Sequence, residues 1–162
     1  MTGMTIEAPE FRRILGHWPT GVAVVAARAA DGRPRGLTAN AITSLSLDPP
    51  LVLVCVDRAA ETHAGIIESG AFAISILPDG AEDLARRFAD ERSADKFAGV
   101  EHRTERSGSP VLDRALAWID CGLHSSHEGG DHTIFIGRVL AAGASPGAPL
   151  LFYRGGYGRA AR

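Results

Sequence analysis

The sequence predicts a mainly β protein, an antiparallel barrel with a few short helices at its periphery. Three observations carry this. Apolar runs of strand length, rich in Val, Ile and Leu, recur along the chain. Turn signals such as Asp31-Gly32 separate several of them, and strands often follow one another with no helix between, which disfavours a doubly wound parallel sheet. At 162 residues, without internal repeats, the chain has the size of one domain. That domain is expected over residues 9–158, between a loose tail at 1–8 and a short one at 159–162.

The elements follow in order. In APEFRRILGHWP, Phe11, Ile14, Leu15 and Trp18 recur at helical spacing; Pro9 suits the first turn, and Pro19 is expected to stop the helix. GVAVVAARAADGRPRG is a β-branched run ending in the Asp31-Gly32 hairpin signal. The returning LTANAITSLSLDPP is less apolar and reads as one hydroxyl-rich strand with its flanking turn. After Pro49-Pro50, LVLVCVD is a continuous apolar run, as in a strand buried on both faces. THAGIIESG reads as a short helix closed by Gly70, AFAISILP as a strand, and GAEDLARRFAD as an amphipathic helix with Leu84 and Phe88 on one face. Residues 91–110 are expected to be irregular. From Ala115 to Ser125 the odd positions Ala117, Ile119, Cys121 and Leu123 alternate with more polar ones, the pattern of a half-buried strand. HEGGDH turns the chain, HTIFIGRVLAAGA returns as a strand, and PLLFYRGGY ends the fold. The expectation is six or seven strands and three short helices.

Composition bounds the function. The hydrophobic and charged fractions, 45% and 22%, are those of an ordinary globular domain, which argues against disorder beyond the ends. A formal net charge of −2, with no basic stretch interleaved with aromatics, argues against nucleic acid as a partner. No apolar run reaches membrane-spanning length and the N-terminus lacks a basic-then-apolar signal pattern, so a cytoplasmic protein is expected. Cys55 and Cys121 lie far apart in apolar runs with no C-x-x-C pair, which favours buried thiols over a metal or redox couple.

Two patterns could carry chemistry, and familiar nucleotide and hydrolase signatures are absent. Thr38, Asn40, Thr43, Ser44 and Ser46 crowd one segment, where uncharged donors and acceptors suit a phosphate or the edge of a polar heterocycle; a water-facing edge strand has the same composition. Neither G-x-G-x-x-G nor G-x-x-x-x-G-K-[ST] occurs, so any nucleotide binds by a non-Rossmann route. His124, His127 and His132 lie near Glu128 and Asp131, a set that could hold a divalent ion, although its spacing matches no standard ligand pattern. No G-x-S-x-G elbow supports a serine hydrolase.

Taken in order, FRRILGHWPTGVAVV, DGRPRGLTANAITSLSLDPPLVLVCVD, FAISIL, DKFAGV, GSPVLDRALAWIDC, GGDHTIFIGRV and PLLFYRGGY resemble the short-chain flavin reductases, the NAD(P)H:flavin oxidoreductase components of two-component flavin-dependent monooxygenases. The resemblance runs from Phe11 to Tyr157. It implies an FMN-binding split barrel, a homodimer with flavin sites near the subunit interface, FMN or FAD as flavin, NADH or NADPH as hydride donor, and a separate oxygenase that receives reduced flavin. It carries flavin contacts over to Thr38, Ala39, Asn40 and Ser44, and to Cys55, Asp57 and Arg58 around the phosphate or ribityl chain. Lys96 and Phe97 match the element beside the flavin, with Thr20 and Tyr157 as further cofactor-side positions. Gly130, Asp131 and His132 match the nicotinamide-side element, and His132 is the candidate catalytic residue, orienting the nicotinamide rather than serving as an essential base. No metal is implied.

The residue types suit that chemistry. Asn40 can both donate to and accept from a pyrimidine edge, and Arg58, Lys96 and nearby hydroxyls could hold a phosphate. Hydride transfer needs no protein nucleophile, because the cofactor carries the reaction. One departure stands out: Ala59-Ala60 replace the serine that many members carry after the Asp-Arg pair, which removes a hydroxyl contact. Two further readings stay open from sequence. One is a split-barrel protein that binds or senses flavin without reducing it; the other is a metal-dependent enzyme built on the histidines of 124–132.

Overall fold

The computed structural model describes residues 5–161, and its first helix shows how local chemistry sets a boundary. Helix α1 (Ala8–Leu15) takes Pro9 in its first turn, where the missing N–H costs no hydrogen bond. It ends at Gly16, whose N–H bonds to Arg12 O at 2.9 Å, so the stop comes before Pro19 rather than at it. Strand β1 (Thr20–Gly21) follows, then β2 (Ala23–Arg28) and β3 (Pro34–Ala39), an antiparallel hairpin whose turn needs the left-handed Gly32 at φ +79°.

The hydroxyl-rich segment is two strands, not one. It breaks at Asn40-Ala41, and β4 (Ile42–Leu47) pairs with β5 (Pro50–Asp57) instead of continuing β3. Helix α2 (Glu61–Ser69) ends at Gly70, left-handed at φ +65°, as the sequence predicts. Strand β6 (Ala71–Ile76) leads to helix α3 (Glu82–Ala89), which buries Leu84, Ala85 and Phe88 along one face. Within the stretch expected to be irregular, β7 (His102–Thr104) and β8 (Pro110–Leu112) pair as a small hairpin. The long hairpin of β9 (Ala117–Gly129) and β10 (His132–Ala144) turns on Gly130-Asp131, with Gly130 at φ +72°. The last pair is β11 (Leu150–Tyr153) and β12 (Gly156–Arg159). Order therefore reaches Arg159, which holds Asp79 at 3.1 Å, while residues 1–4 and 162 of the expected tails lie outside the described residues.

Seven strands form the main sheet, in the order β3-β2-β6-β9-β10-β5-β4 with every neighbour antiparallel, and two smaller sheets add β1-β11-β12 and β7-β8. The mainly β, antiparallel barrel with peripheral helices is thus the fold observed. Six of the expected strands lie in this sheet, where the hydroxyl-rich one counts twice as β3 and β4, and the closing PLLFY segment is β11 of an accessory sheet; β1, β7, β8 and β12 are too short to leave a periodic signal.

Two apolar clusters flank the sheet. One gathers Val25, Val54, Val56, Phe72, Ile74 and Phe135 with Ile66 of α2; the other gathers Val24, Ala26, Leu112 and Phe97 with Leu84 and Phe88 of α3. Strand β2 lies between them and is buried on both faces, as is β6. Strand β5, expected to be so, buries only Val52, Val54 and Val56, because no helix covers its other face. The β9 alternation also fails at Asp120, a fully buried carboxylate that accepts hydrogen bonds from the Ser107 N–H at 2.7 Å and from the Ser107 hydroxyl. Satisfied in this way it costs little, and it pins the loop before β8 to the sheet. Gly137 on β10 has a packing reason: a Cβ there would lie 2.6 Å from the Phe72 ring and 2.7 Å from the Cys121 Cβ.

Candidate functional site

The break at Asn40-Ala41 carries the chain from β3, at one edge of the main sheet, to β4 at the other. Asn40 and Ala41 thereby come to line a cavity of about 710 Å³, together with the end of β5, the start of α2 and residues 88–97. The Ala41 carbonyl accepts from Cys55 N–H at 3.0 Å, which ties the crossing to β5. A cavity of this size takes a cofactor-sized ligand.

One part of the wall is formed by Asn40, Cys55, Asp57 and His132. His132 pairs with Asp57 across β10 and β5, so strand register alone places it beside the end of β5. Its Nδ1 donates to the Asp131 carboxylate at 2.7 Å, leaving Nε2 as the other polar atom of the ring. The same bond and the imidazole beside it hold the Asp131 carboxyl below its ordinary range. Burial pushes the Cys55 thiol up, so it stays protonated and acts as an apolar wall. Asp57 is partly committed, its carboxylate accepting from Ala59 N–H at 2.8 Å.

Elsewhere the wall suits an anion. Ala59, Ala60, Glu61 and Thr62 bring the N-terminus of α2 to the cavity, and the N-cap residue Ala60 offers no side-chain cap to the first-turn amides. The Ala59-Ala60 departure is therefore visible in the structure as an uncapped helix end. Lys96 adds an ammonium whose pKa is lowered by burial and which donates to Phe88 O at 2.9 Å. An uncapped helix N-terminus, a lysine, an amide side chain and apolar walls around one cavity form a donor set that fits a flat heterocycle with a phosphorylated tail.

Of the positions carried over by resemblance, Thr38, Ala39, Asn40, Cys55, Asp57, Lys96, Phe97 and His132 line this cavity together. The Thr38 hydroxyl donates to Ala85 O at 2.6 Å, so its proton serves the contact with α3. Phe97 is 5% exposed and packs edge-on against Phe88, supporting the wall from behind. The remaining positions lie outside the lining. Ser44 is exposed on β4, and Arg58 faces Glu128 at 3.9 Å. Gly130 and Asp131 form the turn before His132. Thr20 and Tyr157 belong to the accessory sheet, where Tyr157 packs on Phe152 beneath Arg86. The histidines of 124–132 are not gathered: among the described residues no three His, Cys, Asp or Glu side chains are grouped to hold a metal.

Sequence reasoning missed two arginines. Arg87 on α3 donates to the carbonyls of Lys96, at 2.6 Å, and Ala98, and so fixes the loop that carries Lys96. Arg35 on β3 lines the cavity and holds Glu61, the first residue of α2, at 3.1 Å. Neither sits in a recognisable motif, and only the amphipathic pattern of α3, which turns Arg87 away from the buried face, hints at the first.

Three comparisons bear on this site. Residues 15–161 match the model of the flavin reductase like domain family. A flavin reductase of Pseudomonas putida is 43% identical over 154 residues, covering 94% of this chain and 90% of the relative. The reductase component of a 4-nitrophenol 4-monooxygenase/4-nitrocatechol 2-monooxygenase of Rhodococcus opacus is 43% identical over 153 residues, covering 94% and 81%. The solved NADH:FAD oxidoreductase of Streptomyces globisporus, in complex with NAD and FAD fragments, superposes with a TM-score of 0.88 at 42% identity, covering 98% of each chain.

Proposed function

The chain belongs to the flavin reductase like domain family, and from that premise we propose that it is an oxidoreductase passing a hydride from NADH or NADPH to FMN or FAD. The observation that carries the reading is the convergence of Asn40, the uncapped start of α2, Lys96 and His132 on one cavity. A flavin held there supplies the two-electron acceptor.

The protein's own residues bind, orient and exclude. Asn40 presents an amide to a pyrimidine edge, while the first-turn amides of α2 and the Lys96 ammonium take the phosphate. Cys55, Ala39 and Ala41 provide apolar wall, and the neutral thiol adds no competing charge. His132, set by Asp131, offers Nε2 to the nicotinamide carboxamide or phosphates, which brings the donor ring against the acceptor. No protein nucleophile is required.

The reduced flavin is proposed to leave for a separate oxygenase, in line with the relative that is the reductase component of a monooxygenase. A homodimer is proposed as well. Its support is the unburied apolar surface: Phe11, Ile14, Leu15 and Trp18 on or just after α1 are 45–73% exposed, and Leu47 at the open edge of the main sheet is 93% exposed. Size-exclusion chromatography with light scattering tests that state.

Anaerobic mixing with NADH and FMN tests the activity. Bleaching of the visible flavin band is the expected outcome. Tight flavin binding with no bleaching by NADH or NADPH would instead make this a flavin-binding protein without reductase activity.

A further inference from the structure

Different elements carry the two ends of the cavity: the start of α2, the proposed phosphate seat, and the start of β10, which presents His132. Asp57 pairs with His132 across β5 and β10, and the Arg58 N–H donates to Asp131 O at 3.0 Å. The backbone before α2 is thus bonded to the turn before β10. A side-chain contact continues this link into the helix, where His63 Nε2 stands 2.8 Å from the Thr133 hydroxyl.

The contact reaches β10 from behind the site. Side chains alternate along a strand. His132 lines the cavity, while Thr133 and Phe135 are buried, Phe135 in the apolar cluster that includes Ile66 of α2. His63 meets both, bonding to Thr133 and setting its ring against Phe135 with centroids 5.1 Å apart. It therefore holds the strand one residue beyond His132.

His63 also belongs to the first turn of α2. Its N–H donates to Ala60 O at 3.0 Å and closes that turn, but Ala60 supplies no side-chain cap. A helix start without a cap is less stable, and a bound acceptor can restore what is missing. A phosphate at the first-turn amides is such an acceptor. Its binding would favour the formed turn and, with it, the hold of His63 on Thr133.

We propose that His63 is a positioning residue for hydride transfer: it sets His132 through Thr133, and makes that setting depend on a phosphate at the start of α2. The inference rests on the reductase reading. Riboflavin carries the ring system of FMN without the phosphate. FMN and the nicotinamide dinucleotide should therefore favour each other's binding more than riboflavin and the dinucleotide do, and the preference is reciprocal.

The test uses the full chain. NAD+, which cannot reduce the flavin, is titrated by calorimetry into protein saturated with FMN or with riboflavin, and KM for NADH is measured with each as acceptor. In the parent, NAD+ is expected to bind about threefold to tenfold tighter with FMN, the range that a helix cap supplies. His63→Ala and Thr133→Val remove the contact from either side. Each should bring the FMN/riboflavin ratio to about one, and the double variant should change it no further. His63→Gln, whose carboxamide can still bond to Thr133, should recover the ratio in part, with kcat moving less than KM. A merely structural role would lower affinity with both flavins alike and leave the ratio in place. Equal NAD+ affinity with the two flavins in the parent, or a ratio that survives both single variants, overturns the proposal. Failure of the reductase reading is seen separately, as absence of FMN bleaching by NADH or NADPH in the parent.

Discussion

His132 Nδ1 donates a 2.7 Å hydrogen bond to the carboxylate of Asp131, its neighbour in the turn between β9 and β10. The bond fixes which imidazole nitrogen is left for a ligand, and strand pairing with Asp57 fixes where the ring stands. His132→Ala should therefore raise KM for NAD(P)H about tenfold or more, the scale of one good polar contact, while flavin affinity moves much less. Steady-state kinetics beside a flavin titration separates the two. Unchanged nicotinamide kinetics would remove His132 from the proposed role.

In the proposed arrangement Asp131 acts through its hydrogen bond to His132. Asp131→Asn retains an acceptor but not the charge, so a smaller rise in KM is expected, with kcat less affected than KM. An effect equal to that of His132→Ala would mean that Asp131 itself contacts the dinucleotide.

Arg87 holds the Lys96 loop through two carbonyls. Its replacement by Ala leaves the loop to find its own conformation, and flavin affinity should fall about fivefold to tenfold with little change in KM for the hydride donor. Arg87→Lys should recover little, because a single ammonium cannot span both carbonyls as the guanidinium fork does. Fluorescence quenching titrations and limited proteolysis of residues 91–99 read the two consequences. A loop that remains protected in the alanine variant would show that Arg87 does not position it.

What could be read from sequence follows the range of the physics involved. The Gly32 and Gly130 turns, the stop at Gly70 and the buried face of α3 are local events, and each appears where its residues predict. The crossing at Asn40-Ala41 is not local. Thr38 and Thr43 look like one strand until the sheet is closed around them, and only then do β3 and β4 become opposite edges. Burial of β2 on both faces, in place of β5, likewise depends on where α2 and α3 come to rest. At the site, the motif residues Asn40, Lys96 and His132 could be named in advance. Arg87 and Arg35 could not, because their partners are a carbonyl nine residues away and a carboxylate on another element.

Gly137 tests the packing of the long hairpin. A methyl group there would press on the Phe72 ring and on the Cβ of Cys121, and the latter is rooted in the backbone of β9. Gly137→Ala is expected to destabilise the fold by about 1–3 kcal/mol, as overpacking does in a dense core. Chemical denaturation measures it. If stability holds, Phe72 and β9 must give way more easily than their full burial implies.

Acid sensitivity should have an identifiable source in His63. This residue on α2 places Nε2 2.8 Å from the Thr133 hydroxyl and tilts its ring against Phe135. Burial, with the nearby Arg58 charge, lowers its pKa below the ordinary value near 6.5. The unfolded chain then binds the proton more readily than the folded one, so stability falls as pH drops through about 6.5 and levels off below the folded value. Urea midpoints measured between pH 7.5 and 5 should decline in the parent, with part of that decline removed in His63→Gln, which keeps a polar partner for Thr133 but cannot titrate. Parallel declines in the two proteins would place the acid-sensitive group elsewhere.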